Sequence, residues 1–141
     1  MRTLLVASVL VLTGTLLAGC ASEGGGDITG KTWHLISITT NTPKFAAIVP
    51  AESQGNYTID FAVDGTFAAK ADCNQVAGTY TIQGKAVITI KPGPSTLAAC
   101  PAGSFGAEYV AALAQASSYS TAANQMTITL LDNGTLGFQT T

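Results

Sequence analysis

The sequence predicts a mostly β fold of the α+β type: a small curled antiparallel sheet or barrel of about eight strands, with one helix before the last strands. Three observations lead there. Short runs rich in Val, Ile, Thr and aromatic residues alternate apolar with polar, the period of a half-buried strand. Turn signals such as Asp64-Gly65, Gln83-Gly84-Lys85 and Asp132-Asn133-Gly134 separate neighbouring runs at hairpin distance. One stretch alone switches to helical spacing. Many short strands joined by close hairpins favour a curled sheet or small barrel.

The first element is not part of that domain. Arg2 supplies a positive start, Leu4 to Leu12 an apolar run, and Gly14, Ala18 and Gly19 the small residues of an export signal. The uncharged run from Thr3 to Gly19 is short for a membrane span, because crossing ~30 Å of hydrocarbon takes about 20 helical residues. A cleaved signal at residues 1–19 is therefore expected over a retained anchor. Leu17-Ala18-Gly19-Cys20 resembles the lipobox of bacterial lipoproteins: a large apolar residue, two small ones, then cysteine. The resemblance implies that the Cys20 sulfur takes a diacylglyceryl group and that cleavage follows Gly19. One acyl chain anchors weakly, whereas two or three, at ~0.8 kcal/mol per buried methylene, hold firmly. Residues 20–30, with Gly24-Gly25-Gly26 at their centre, read as a flexible lipidated tether.

Residues 31–141 read as the domain. Thr32 to Ile38 alternates, placing Trp33, Leu35 and Ser37 on one face and His34, Ile36 and Ile38 on the other. A loop runs from about Thr40 to Gly55. Tyr57 to Phe61 and Thr66 to Ala69 flank the Asp64-Gly65 turn, and Thr79 to Ile82 and Ala86 to Ile90 form a second pair. From Phe105 to Ala116, Tyr109, Leu113 and Ala116 fall at helical spacing, with Ser104 as expected N-cap and Glu108 in the first turn. Four alanines there raise helix propensity. Tyr119 to Ala122 reads as a short strand, and Met126 to Leu130 and Thr135 to Phe138 as a closing hairpin.

Charge and cysteines narrow the function. With residues 1–19 removed, five lysines face eight acids, a net charge of about -3. That excludes the basic footprint of a nucleic-acid binder. Cys20 is accounted for by the lipobox, which leaves Cys73 and Cys100 as an even pair in an oxidising compartment, expected to form a disulfide. A redox or zinc role is the competing reading. Neither cysteine sits in a C-x-x-C spacing, and two thiols with one distant histidine make a poor zinc site.

Several pieces, in order, resemble the META domain (HslJ-type) family. Trp33 opens the first strand. Asp72-Cys73-Asn74-Gln75-Val76-Ala77-Gly78-Thr79-Tyr80 is similar to the family's G-C-N-x-x-x-G-x-Y segment, with Asp72 in place of the usual glycine. Ser95-Thr96-Leu97-Ala98-Ala99-Cys100 is similar to its S-T-x-M-A-C segment, with Ala98 where methionine is common. A helix and a closing hairpin ending in Leu136-Gly137-Phe138 complete the likeness, which covers most of residues 31–139. It implies one β-rich, barrel-like domain, often behind a lipoprotein signal, with no enzymatic activity established for the class. Some members are heat-inducible or linked to antibiotic tolerance.

The motif residues also have physical roles of their own. Asn74 suits a left-handed or Asx-turn conformation, Gly78 a bulge or close backbone approach, and Tyr80 a buried ring with a paired hydroxyl. The segment reads as a disulfide-pinned corner. No catalytic, cofactor or metal site is expected. His34 is the single histidine, no G-x-S-x-G elbow accompanies it, and Asp60 and Asp64 are explained by a strand face and a turn. The expected function is a non-enzymatic protein of the cell envelope. It is held by lipid on the extracytoplasmic side of the cell or outer membrane, and binds an envelope protein or supports stress tolerance. A small-molecule binder using a barrel interior is one alternative. An inhibitor of an envelope hydrolase, acting through the Thr40–Gly55 loop, is another.

Overall fold

A computed structural model describes residues 25–141. The signal at 1–19, Cys20 and the first part of the tether lie outside the described residues. The elements are β1 (Thr32–Asn41), β2 (Lys44–Ile48), a 3-10 turn (Ala51–Asn56), β3 (Tyr57–Phe61), β4 (Thr66–Ala71), β5 (Asn74–Gln83), β6 (Val87–Ser95), α1 (Gly106–Leu113), β7 (Ala116–Ala122), β8 (Gln125–Leu130) and β9 (Thr135–Gln139). The strands form one antiparallel sheet in the order β2-β1-β3-β4-β5-β6-β7-β8-β9. β1 also pairs with β9, so eight strands close into a barrel and β2 stands outside the ring.

Alternation builds the wall. Tyr57, Ile59 and Phe61 of β3, and Met126, Ile128 and Leu130 of β8, point inward and are buried, while the residues between them face outward. The turns behave as their composition dictates. Gly65 takes φ +86°, and the Asp64 carboxylate accepts the Thr66 N–H and hydroxyl at 2.9 and 2.6 Å.

Several boundaries differ from the sequence reading, each for a tertiary reason. In β1 the register against β9 shifts between Leu35 and Ser37, so Trp33, Leu35 and then Ile38 are buried, not Ser37. Two residues on β1 thus oppose one on β9, which reverses the phase of the pattern. The expected loop from Thr40 to Gly55 holds β2 and the 3-10 turn. β2 pairs with Ser37–Asn41, the half of β1 that β3 does not reach. β5 and β6 run longer than expected, and β6 carries Pro92 and Pro94. β7 meets β6 at only one residue pair, Val87 with Ser118, so these prolines lie on an open edge where no ladder donor is needed. α1 ends at Leu113, and Ala116 already belongs to β7. The N-cap is Phe105, not Ser104, whose hydroxyl accepts the Gly106 N–H at 3.3 Å.

The largest departure is at the start of the domain. Residues 25–30 do not hang free as a tether; they lie on the barrel. The Gly25 N–H donates to the Lys85 carbonyl at 2.7 Å, and the Gly26 N–H to the Thr121 hydroxyl at 2.7 Å. Ile28 is 1% exposed, and Thr29 bridges to Phe61 on the far side of the ring. The segment therefore crosses one mouth of the barrel. Gly25 and Gly26 are close-approach residues, since a Cβ would sit 2.0 Å from the Tyr119 ring on the first and 2.7 Å from the Thr121 hydroxyl on the second. α1 closes the other mouth, with Tyr109, Ala112 and Leu113 buried and the Tyr109 hydroxyl donating to the Thr58 carbonyl at 3.2 Å. Between these lids the interior is filled by Trp33, Leu35, Ile59, Phe61, Ile88, Ile128 and Phe138, each at most 2% exposed.

Candidate functional site

Two of the segments that carry the family likeness, Asp72 to Gln75 and Ser95 to Cys100, meet at the α1 end. β4 and β5 are joined by a two-residue turn, Asp72-Cys73, with Ala71 paired to Asn74. The expected disulfide-pinned corner is thus a tight hairpin turn, with Cys73 in the turn itself. The left-handed residue is Asp72, at φ +59°, rather than Asn74. A two-residue hairpin needs a positive φ, which glycine supplies freely and aspartate tolerates. This accounts for the glycine that the family prefers there.

Cys73 bonds to Cys100 across a separation of 27 residues, with Cα atoms 5.5 Å apart. Asn74 reinforces that link. Its side-chain oxygen accepts the Ala98 N–H at 2.8 Å and the Thr96 hydroxyl at 3.0 Å, while its amide donates to the Ala98 carbonyl at 3.1 Å. The Thr96 hydroxyl accepts the Gln75 N–H at 3.0 Å, and the Thr96 N–H donates to the Gln75 carbonyl at 3.0 Å. One amide therefore imitates a strand partner for a chain that has left the sheet. Ser95 ends β6, and its hydroxyl bonds only locally, to the Thr96 carbonyl at 2.8 Å.

The remaining motif residues lie elsewhere. A Cβ on Gly78 would come within 2.3 Å of the Lys91 carbonyl and 2.6 Å of the Phe67 ring, and the β5–β6 register shifts just before it. Tyr80 is 8% exposed, packs edge-on to Phe61 at 4.8 Å, and donates its hydroxyl to the Ala62 carbonyl at 2.7 Å. That bond holds the β3–β4 turn at the opposite mouth. Burial first, then the Asp27 and Asp64 carboxylates, push the Tyr80 hydroxyl above its ordinary pKa, so it remains a donor. The Trp33 indole N–H donates to the Ile28 carbonyl at 2.9 Å and so fastens the N-terminal lid.

The same α1 end carries a groove of about 370 Å³ between the β1–β2 hairpin, α1 and the β8–β9 turn. Pro43, Phe45, Ala107, Ala111 and Leu130 give it apolar walls, and Glu108 and Asp132 stand at its edge. Asp132 also braces it. One carboxylate oxygen accepts the N–H groups of Asn41 and Thr42 at 2.6 and 2.8 Å, and the other accepts Gly134 at 2.7 Å. The donors, Thr42 foremost, hold its pKa below the usual aspartate value. Asp132 announces itself in the sequence only as a turn residue; its hold on a hairpin 91 positions away has no local signal. The Tyr57 and Phe105 rings stack at 4.2 Å behind this end, another pairing that the sequence does not announce.

The other titratable residues do not converge. His34 is partly buried with Nδ1 3.3 Å from the Gln54 carbonyl, Asp60 accepts the Thr32 hydroxyl at 2.5 Å, and Asp64 serves its turn. Among the described residues no three His, Cys, Asp or Glu side chains are grouped to hold a metal ion. What the α1 end offers is a braced apolar groove with carboxylates at its rim.

Comparison with known proteins fits this picture. The model of the META domain family matches residues 26–141. A DUF4847 family protein from Bacteroides vulgatus superposes with a TM-score of 0.59 at 18% identity, covering 79% of this chain and 93% of its own. A protein from Burkholderia xenovorans, solved by NMR, superposes with a TM-score of 0.59 at 19% identity, covering 81% of this chain and 83% of its own. At such identities the likeness is one of fold. No curated protein matches the chain.

Proposed function

Because the chain belongs to the META domain family, its match covering residues 26–141, we propose that it is a lipid-anchored, non-enzymatic protein of the cell envelope that acts by binding. The groove at the α1 end is the observation that carries the binding reading. It has the size of a ligand site, apolar walls and fixed polar groups at its edge, and the bracing around it limits the ordering cost of an occupant. Glu108 and Asp132 suit an occupant with apolar side chains and a basic group beside them. The barrel interior is filled with core side chains, so a lipocalin-like occupant would have to displace them. That favours the outer groove over the inside of the barrel. The hydrolase-inhibitor alternative shifts from an open loop to the β1–β2 hairpin, which stands outside the closed ring.

The lipobox at Leu17–Cys20 supports the anchor, and the stress role rests on the family likeness alone. Labelling cells with a palmitate analogue tests the first: wild type takes label and Cys20→Ser does not. Crosslinking and pull-down from envelope extract tests the binding reading, with Ala111→Glu as the groove variant. A partner recovered by wild type and lost with the variant is expected. Recovery unaffected by the substitution would remove the groove from the account. Growth of a deletion strain under heat and envelope-active antibiotics tests the stress role.

A further inference from the structure

The reach of the lipid decides which end of the barrel meets the membrane. Gly25 is fixed at the mouth opposite α1, by the Lys85 carbonyl in the β5–β6 turn and by the Tyr119 ring of β7. Between Cys20 and Gly25 lie Ala21, Ser22, Glu23 and Gly24. However those four residues are arranged, five peptide steps span at most about 18 Å. β5, ten residues long, runs from the disulfide turn to this mouth, and at ~3.4 Å per residue and the usual barrel tilt it covers about 25 Å of the barrel axis.

From these two lengths we infer that the bilayer surface docks against the mouth ringed by the β3–β4, β5–β6 and β7–β8 turns. The inference rests on the reading of Cys20 as the lipidated residue. Apolar exposure alone does not choose an end, since Val63, 89% exposed, stands at this mouth and Leu97, 94% exposed, at the other. The short reach does. The mouth also suits a headgroup layer. Val63, Ile82 and Val87 present apolar side chains there, and Lys31 and Lys85 present ammonium groups that can meet lipid phosphates. The neighbouring carboxylates of Asp27 and Asp64, each hydrogen-bonded by a threonine N–H and hydroxyl, stay charged and offset those ammonium groups, so the end is chosen by reach and not by charge. Lipid and lid are then coupled, because the anchored chain is the same strap that buries Ile28. The groove, at the opposite end, opens away from the bilayer toward soluble partners.

The test uses full-length lipidated protein in vesicles of phosphatidylethanolamine and phosphatidylglycerol carrying a headgroup spin label. A fluorophore is placed on Val63→Cys, Thr127→Cys on the outer wall of β8, or Leu97→Cys beside Asn74, all exposed sites. Severalfold stronger quenching at Val63 than at Leu97, with Thr127 between, is expected. Equal quenching at all three, or strongest quenching at Thr127 or Leu97, in protein that floats with the vesicles would overturn the orientation while leaving the anchor intact. Protein that fails to float would overturn the anchor and the orientation with it.

Discussion

Replacing both Cys73 and Cys100 with serine should cost about 3.5 kcal/mol of stability. The bond closes a loop of 27 residues, and the chain-entropy estimate for a loop of that size at 25 °C gives this figure. The full amount is expected because the folded state gains little freedom when the bond is absent. Asn74, Thr96 and Gln75 still hold the chain at Thr96–Ala98 against β5. The change therefore falls on the unfolded ensemble, which expands. Two observables follow in thermal and urea unfolding followed by circular dichroism. The midpoint should fall by about 14 °C, taking about 4 °C per kcal/mol for a domain of this size. The urea m-value should rise, because a more expanded unfolded chain exposes more surface. A loss under about 1 kcal/mol with the fold intact and m unchanged would refute the reasoning, and would place the bond's role in the folded state.

Asn74→Ala removes four hydrogen bonds, three to exposed groups that water can reoccupy and a weak one to the Cys100 sulfur, so a loss of about 1–2 kcal/mol is expected in urea unfolding. Combined with the cysteine replacement it should be non-additive, since both links hold one segment. Ile28→Ala should cost about 2–3 kcal/mol, the low part of the range for a buried isoleucine, because the lid can partly settle into the space. A change under 0.5 kcal/mol would return residues 25–30 to the tether. The Asp132 clamp should depend on pH. Its folded pKa lies below the unfolded value, so its contribution is full above the ordinary aspartate pKa and fades as pH falls through the folded one. The Asn41 and Thr42 amide resonances should follow that titration in NMR, and Asp132→Asn should abolish it.

Where order along the chain reflects a local cause, the residues announce it. The alternation of Tyr57, Ile59 and Phe61, the Asp64-Gly65 turn and the helical spacing of Tyr109 and Leu113 each follow from backbone geometry within a few residues. They are therefore legible without the fold. The pairing of Cys73 with Cys100 is legible for a different reason: with Cys20 assigned to the expected lipobox, two cysteines remain, and they can pair only with each other.

What only the tertiary structure decided concerns contacts between distant residues. The bulge in β1 comes from its meeting with β9, a pairing about a hundred residues apart, and it reverses the inward face that alternation predicts. β2 is a strand because β3 pairs with only the first part of β1, which leaves that edge open from Ser37 to Asn41. Gly25 and Gly26 read as flexible until the Tyr119 ring is seen where a Cβ on Gly25 would lie. Asp132 clamps a hairpin 91 positions away for the same kind of reason. Periodicity records which face of a residue is wet. It carries no record of which distant strand, ring or carbonyl makes that face dry, and the mouth lid and the groove are both built from such meetings.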